Sequence, residues 1–305
     1  MANPASSFTA ADVADQSGRT FLVTGANTGL GFETARVLAE RGARVLLGCR
    51  SEARATEAIA QIESEVPDAD LRFIPLDQAD LASVAAAADL VAEEDRLDVL
   101  VNNAGIMMTP RELTTDGFES QLGVNHLGTF ALTCRLLDKL AETEGSRVVV
   151  TSSIAHRGGT IHFDDIDASD KYGAQDRYQQ SKLANLLFMY ELDRRLRAAD
   201  SPTIAVGCHP GIANTELARY LPRIVTFAAP LFSVFFNSAA EGAWPTLMAA
   251  TSDDVEGGDY TGPSKRGETA GPAKKVESTT RARDAQLAER LWDLSVELTG
   301  VDAEF

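Results

Sequence analysis

Cysteine is scarce: Cys49, Cys134 and Cys208 stand far apart in 305 residues, with no Cys-x-x-Cys pair among them. That argues against a disulfide framework or a zinc knuckle, and it makes a reducing, cytoplasmic setting the expectation. Lysine is scarce as well, with six against 22 arginines, and 45 acidic residues outnumber both to give a formal net charge of -17. A field of that sign repels nucleic acid and anionic membranes, so neither is expected as a partner. Unbroken apolar runs are missing too. The longest, Tyr220 to Phe236, is interrupted by Pro222, Arg223 and Pro230, whereas a membrane span needs about 20 largely uninterrupted apolar residues. Met1 to Ser17 carries no basic-then-apolar pattern, so no signal peptide is expected.

What the chain does have is alternation. Thr20–Thr24, Arg44–Gly48, Leu71–Pro75, Asp98–Val101, Arg147–Ser152 and Thr203–Cys208 are short, apolar and rich in β-branched residues. Runs with helical spacing separate them, among them Leu30–Arg41, Glu52–Glu65 and Leu81–Glu94. Repeated β–α units with nearly continuous apolar strands predict an α/β fold, a single Rossmann-type doubly wound parallel sheet with helices on both faces. No fixed-period repeat or low-complexity linker divides the chain, so one domain over residues 1–305 is expected. Its core would run from about residue 18 to 262, with an apolar substrate lid near 212–240 and a C-terminal extension from 263 to 305. After the apolar insert come a Gly-rich segment, Glu256–Gly271, and an amphipathic helix near Arg283–Thr299.

The first strand runs into Thr24-Gly25-Ala26-Asn27-Thr28-Gly29-Leu30-Gly31. Glycines there allow a tight turn and a close backbone approach, and the helix that follows offers free N–H groups and its positive end to a pyrophosphate. The Gly-x-x-x-Gly-x-Gly spacing differs from the common dinucleotide fingerprint. At the end of the second strand, a carboxylate would grip a ribose 2′-hydroxyl and a basic residue would accept a 2′-phosphate. The chain has Arg50 and Ser51 there, which favours NADP(H) while leaving NAD(H) possible.

Four further motifs follow in order: Asn102-Asn103-Ala104-Gly105, Asn125 in Val124-Asn125-His126, Ser152-Ser153, and Tyr178-x-x-x-Lys182. Together they resemble the short-chain dehydrogenase/reductase superfamily. Ser181 to Phe188, His209-Pro210-Gly211 and Leu291-Trp292-Asp293-Leu294-Ser295 narrow the resemblance to its retinol-dehydrogenase-like, WW-domain-oxidoreductase-like members. The resemblance spans roughly residues 18 to 300.

It implies an NAD(P)-dependent enzyme that interconverts a lipophilic alcohol and its aldehyde or ketone. Reduction of a carbonyl places negative charge on oxygen, which must be stabilised and protonated. By resemblance Tyr178 is the general acid/base, and Lys182 both lowers its pKa and holds the nicotinamide ribose. Ser153 would donate to the carbonyl oxygen, although Ser152 competes for the inward position, and Asn125 would complete a proton relay. The cofactor would rest on Gly25, Asn27, Thr28, Gly29, Leu30 and Gly31, with Arg50 and Ser51 at the adenosine end. Asp77 and Gln78 would face the adenine, and Asn103, Ala104 and Gly105 its ribose. Pro210, Gly211, Ile212 and Thr215 would reach the carboxamide and phosphates. No metal is expected, since His156, His162, Asp164, Asp165 and Asp167 share one loop without ligand spacing. Homo-oligomerisation is implied through the helices that carry Asn125 and Tyr178. Two alternatives are a cofactor-binding regulatory protein and a reductase of an activated C=C bond.

Overall fold

The computed structural model describes residues 7–212, 237–303 and 305. Strands β1 (Thr20–Thr24), β2 (Arg44–Cys49), β3 (Asp70–Pro75), β4 (Val99–Asn102), β5 (Arg147–Thr151), β6 (Ile204–Cys208), β7 (Tyr260–Lys265) and β8 (Ala270–Lys275) form one sheet. Their order is β3-β2-β1-β4-β5-β6-β7-β8, parallel as far as β7 and antiparallel at β8. Every residue of β1, β4 and β5 is buried, because helices cover both faces of the sheet. Alternate residues serve opposite cores: Leu22, Leu46, Leu100 and Val148 on one side, Phe21, Val45, Val99 and Val149 on the other.

Helices α1 (Gly29–Glu40), α2 (Glu52–Glu65) and α3 (Leu81–Ala92) alternate with the early strands. After β4, the short α4 (Ser120–Leu122) passes through a π-helical turn, Gly123–Leu127, into α5 (Gly128–Ala141). The long α6 (Ala174–Ala198) precedes β6, and α7 (Ala239–Gly242) and α8 (Trp244–Thr251) precede β7. The last helix, α9 (Ala285–Thr299), is capped by Asp284, whose carboxylate accepts from Gln286 N and Leu287 N at 3.0 Å each.

The Gly-rich segment Glu256–Gly271 contains β7 and runs into β8. The sheet therefore continues past 262, and Phe8, outside the expected core start, bridges β8 through reciprocal bonds with Ala273 of 2.9 and 2.8 Å. Pro263, Pro272 and the glycines hide these strands from a pattern search, and Pro272 sits on an edge strand, where proline is tolerated. Residues Arg177–Met189 of α6 are buried save for half-buried Gln179, as is most of α5. Trp292 of α9 packs against Phe130 and Phe188 at ring-centroid distances of 5.0 and 5.8 Å. The C-terminal helix thus packs against α5 and α6 within the chain.

Candidate active site

The strand order reverses between β1 and β4, which opens a crevice at the carboxyl ends of the strands. Every loop singled out in the sequence leaves the sheet at that end. Gly25 and Gly29 take positive φ values of 68° and 59°, where a side chain is strained. Gly31 is needed for closeness, since a Cβ there would lie 2.3 Å from Gly25 O and 2.5 Å from Asn103 Nδ2. Helix α1 begins at Thr28 without a side-chain cap, unlike α3, where Asp80 accepts from Ala82 N and Ser83 N. Its first N–H groups are therefore left to an anion, which fits a pyrophosphate.

Asn103 holds this loop to β4. Its Nδ2 donates to Thr24 O at 2.8 Å, while Thr24 Oγ1 accepts from Asn103 N and Ala104 N at 3.0 and 2.9 Å. Thr24 was not singled out from the sequence, and only its place at the strand end marks it. Gly105 follows against the site itself, where a Cβ would stand 3.1 Å from Asn125 Oδ1 and 3.5 Å from Lys182 Nζ.

Arg50 is exposed just beyond β2, and no described residue pairs with it. Ser51 caps α2 by accepting from Arg54 N. Asp77 is half-buried after β3, its Oδ1 accepting from Ala79 N at 3.0 Å. Gln78 departs from expectation. Rather than facing an adenine it is buried, and its Nε2 donates to Thr129 Oγ1 at 2.9 Å and Val124 O at 3.3 Å. Its amide nitrogen thus pins the loop to the π-helical turn and the start of α5, while Oε1 has no partner among the described residues. Gly211 has φ 74°, Ile212 N donates to Thr269 O at 3.0 Å, and Pro210 stands half-buried before them. Thr215 and most of the expected lid lie outside the described residues.

The four residues expected to carry the chemistry converge. Asn125 sits in the π-helical turn, a feature frequent at functional sites. Its Oδ1 accepts from Ile106 N at 2.8 Å, and its Nδ2 donates to Ile106 O and to Ser181 Oγ at 2.9 Å each. Ser152 Oγ donates to Lys182 O at 2.7 Å and is thereby committed to α6. Ser153 Oγ accepts from Ala155 N at 3.1 Å, and its hydroxyl favours the ionised Tyr178 phenol. Tyr178 and Lys182, one turn apart on α6, are 8% and 5% exposed.

Their electrostatics differ from the expectation that the ammonium lowers the phenol's pKa. Lys182 Nζ lies over the Tyr178 ring, 5.8 Å from its centroid, and donates to Thr151 O at 3.2 Å. Burial prevails in the chain itself. It pushes Tyr178 above the usual phenol range, with the Ser153 hydroxyl opposing, and it pulls Lys182 down to about 8.

Asn185, one turn beyond Lys182, donates to the same Thr151 O at 3.0 Å. Sequence reasoning missed its contribution, although polar Ser181, Lys182 and Asn185 on a buried apolar helix were a signal. Also missed was Gln121, which accepts from Met108 N at 2.8 Å and donates to Tyr172 Oη at 3.2 Å and Ala174 O at 2.9 Å. It ties the loop after β4 to the segment that precedes α6. In that segment Asp165 pairs with buried Arg177, and His162 Nε2 lies 2.9 Å from the Asp176 carboxylate.

A family model described as short chain dehydrogenase matches residues 19–223. Retinol dehydrogenase 12 of Mus musculus is 42% identical, the match covering 94% of this chain and 88% of that protein. Retinol dehydrogenase 14 of Mus musculus is 43% identical over 93% of this chain and 86% of its own length. Among solved structures, an uncharacterized protein of Mycobacterium Paratuberculosis has a TM-score of 0.82 at 41% identity, covering 98% of this chain and 100% of that one. A short chain dehydrogenase from Burkholderia cenocepacia J2315, solved in complex with NADP, has a TM-score of 0.64 at 26% identity over 81% and 96% of the two chains.

Proposed function

The chain belongs to the short-chain dehydrogenase family as a retinol-dehydrogenase-like, NAD(P)-dependent oxidoreductase, and from that premise we propose that it uses NADP(H) to interconvert a lipophilic alcohol and its aldehyde or ketone. The observation that carries this reading is the meeting of Asn125, Ser153, Tyr178 and Lys182 beside the glycine loop at the switch point of the sheet. When bound, the nicotinamide supplies or takes up the hydride. The rest of the chemistry falls to the chain. Ser153 donates to the substrate oxygen, where charge develops. Tyr178 gives that oxygen its proton in reduction and removes it in oxidation. Lys182 keeps a positive charge near the phenol, and Asn125 fixes the backbone of Ile106 that walls the site.

The apolar composition of residues 217–236 and the retinol named in the relatives support a lipophilic substrate. Three buried free thiols suit a reducing, cytoplasmic compartment. Among the described residues no helix is long and apolar enough to cross a membrane.

Arg50 supports NADP(H), since its guanidinium has no partner among the described residues and stands at the strand end where a 2′-phosphate would rest. Arg50→Ala should weaken NADPH binding by about tenfold or more, the scale of a lost charge-assisted hydrogen bond, while NADH binding changes little. Titrations of both cofactors check this, and equal effects on the two would remove the NADP assignment. The function is tested by a kinetic panel of lipophilic aldehydes and ketones run with each cofactor. Turnover of long apolar substrates with NADPH is expected, and activity confined to small polar carbonyls would overturn the substrate class.

A further inference from the structure

Behind the Ser153 turn lies a cluster of buried titratable groups that the chemistry above does not use. His156 and His209 are 1% and 0% exposed, and the ring of Tyr260, 2% exposed, lies between them. The ring centroids of His156 and His209 are 5.8 and 5.2 Å from that of Tyr260. Backbone groups fix both imidazole tautomers. His156 Nε2 accepts from Thr279 N at 3.3 Å, so its Nδ1 carries the proton and donates to Ser153 O at 2.6 Å. His209 Nδ1 accepts from Gly211 N at 3.2 Å, so its proton is on Nε2. That Nε2 faces Glu268 Oε2 at 3.3 Å.

Glu268 therefore stands at a junction. The same Oε2 is 2.6 Å from Arg157 Nη2, and Arg157 belongs to the 3-10 turn that Ser153 caps. One carboxylate thus pairs with Arg157 of the turn that carries Ser153 and approaches the imidazole of the His209-Pro210-Gly211 turn beyond the neighbouring strand, at 3.3 Å and without hydrogen-bond geometry. Two features suggest selection for this contact rather than accident. Glu268 has φ 69° in the hairpin between β7 and β8, a conformation that costs a non-glycine residue energy and that glycine or asparagine would adopt more readily. Gly262 leaves the space for the imidazole, since a Cβ there would lie 2.1 Å from His209 Nε2.

We infer that Glu268 is a positioning residue for the reaction, a carboxylate at the tip of the β7–β8 hairpin that holds the Ser153 turn and the Pro210–Gly211 turn in register. The inference rests on the proposed function, in which these two turns flank the substrate carbonyl and the nicotinamide. Glu268 touches neither. It acts through Arg157 and His209, and its loss leaves the proton-transfer groups in place but lets the two walls drift. A displacement of about 1 Å at such a site is enough to lower the rate by orders of magnitude without preventing binding.

The test compares wild type with Glu268→Gln, Arg157→Gln and the double variant. It reads kcat and KM on an active carbonyl substrate, NADPH binding by fluorescence, and the thermal midpoint. Glu268→Gln should lower kcat by about tenfold or more while KM for the carbonyl and the thermal midpoint stay near wild type. Arg157→Gln removes the pairing from a partly exposed position and should lower kcat in the same direction if Glu268→Gln fails to fold. The double variant should cost little beyond the worse single one, since both act through one contact. A kcat unchanged in both singles, a loss that follows the folded fraction, or additive losses in the double would each overturn the inference. Tyr178→Phe run alongside separates the two failures. If it abolishes turnover while Glu268→Gln does nothing, only the positioning role falls, whereas retained turnover in Tyr178→Phe sinks the functional reading itself.

Discussion

Tyr178→Phe should lower turnover by about a hundredfold or more, the scale of a lost general acid, while NADPH still binds and the fold is unchanged. The substitution removes only a hydroxyl from a ring that is 8% exposed, so packing persists and the loss falls on proton transfer. Unchanged turnover would dismiss Tyr178 as the acid/base. The pH dependence follows from the same pair. Reduction requires the phenol protonated and Lys182 charged. Burial raises the phenol's pKa, so it remains protonated through neutrality. Lys182 is held down to about 8 and loses its charge as the pH rises through that value. The kcat/KM for reduction should therefore be level near neutrality and fall above about 8. An increase there would contradict a role for the charged lysine.

Trp292→Ala should destabilise the protein by about 3–5 kcal/mol, the usual cost of truncating a buried aromatic. The indole joins α9 to α5 and α6 through Phe130 and Phe188. The Arg195 guanidinium stacks on its face at 4.3 Å, and its Nε1 donates to Asp302 Oδ1 at 3.2 Å. The helix it anchors also supports the site. Ser295 Oγ donates to Leu291 O and so accepts from His126 Nε2 at 2.8 Å, and burial holds that imidazole neutral, its pKa lowered to about 3. His126 adjoins Asn125 in the π-helical turn. Urea unfolding should place the midpoint well below wild type. A change under about 1 kcal/mol would mean that α9 is a peripheral attachment rather than the cover of this core.

The parallel half of the sheet was legible because its strands are buried on both faces and hence continuously apolar. The glycine loop, Asn103, Tyr178 and Lys182 were legible because few residue types allow a close backbone approach or proton exchange at a strand end. The β7–β8 hairpin was not, since its prolines and glycines obey the geometry of an edge rather than a propensity. The direction of Gln78 was lost for a related reason, because its partner Thr129 lies 51 positions away and nothing local records the contact. Sequence suggested the pairing of Tyr178 with Lys182 but not the balance between charge and burial, which depends on how deeply α6 is enclosed. Part of that enclosure comes from α9, whose Trp292 packs on Phe188 of α6 more than a hundred positions along the chain.

The most direct test of the account is to follow the hydride. NADPH deuterated at its transferable position is incubated with the enzyme and a lipophilic aldehyde, and the product alcohol is analysed by mass spectrometry. The account predicts one deuterium on the former carbonyl carbon with wild-type enzyme, and almost none formed in the same time with Tyr178→Phe. Product without deuterium, or equal labelling by the two proteins, would contradict it.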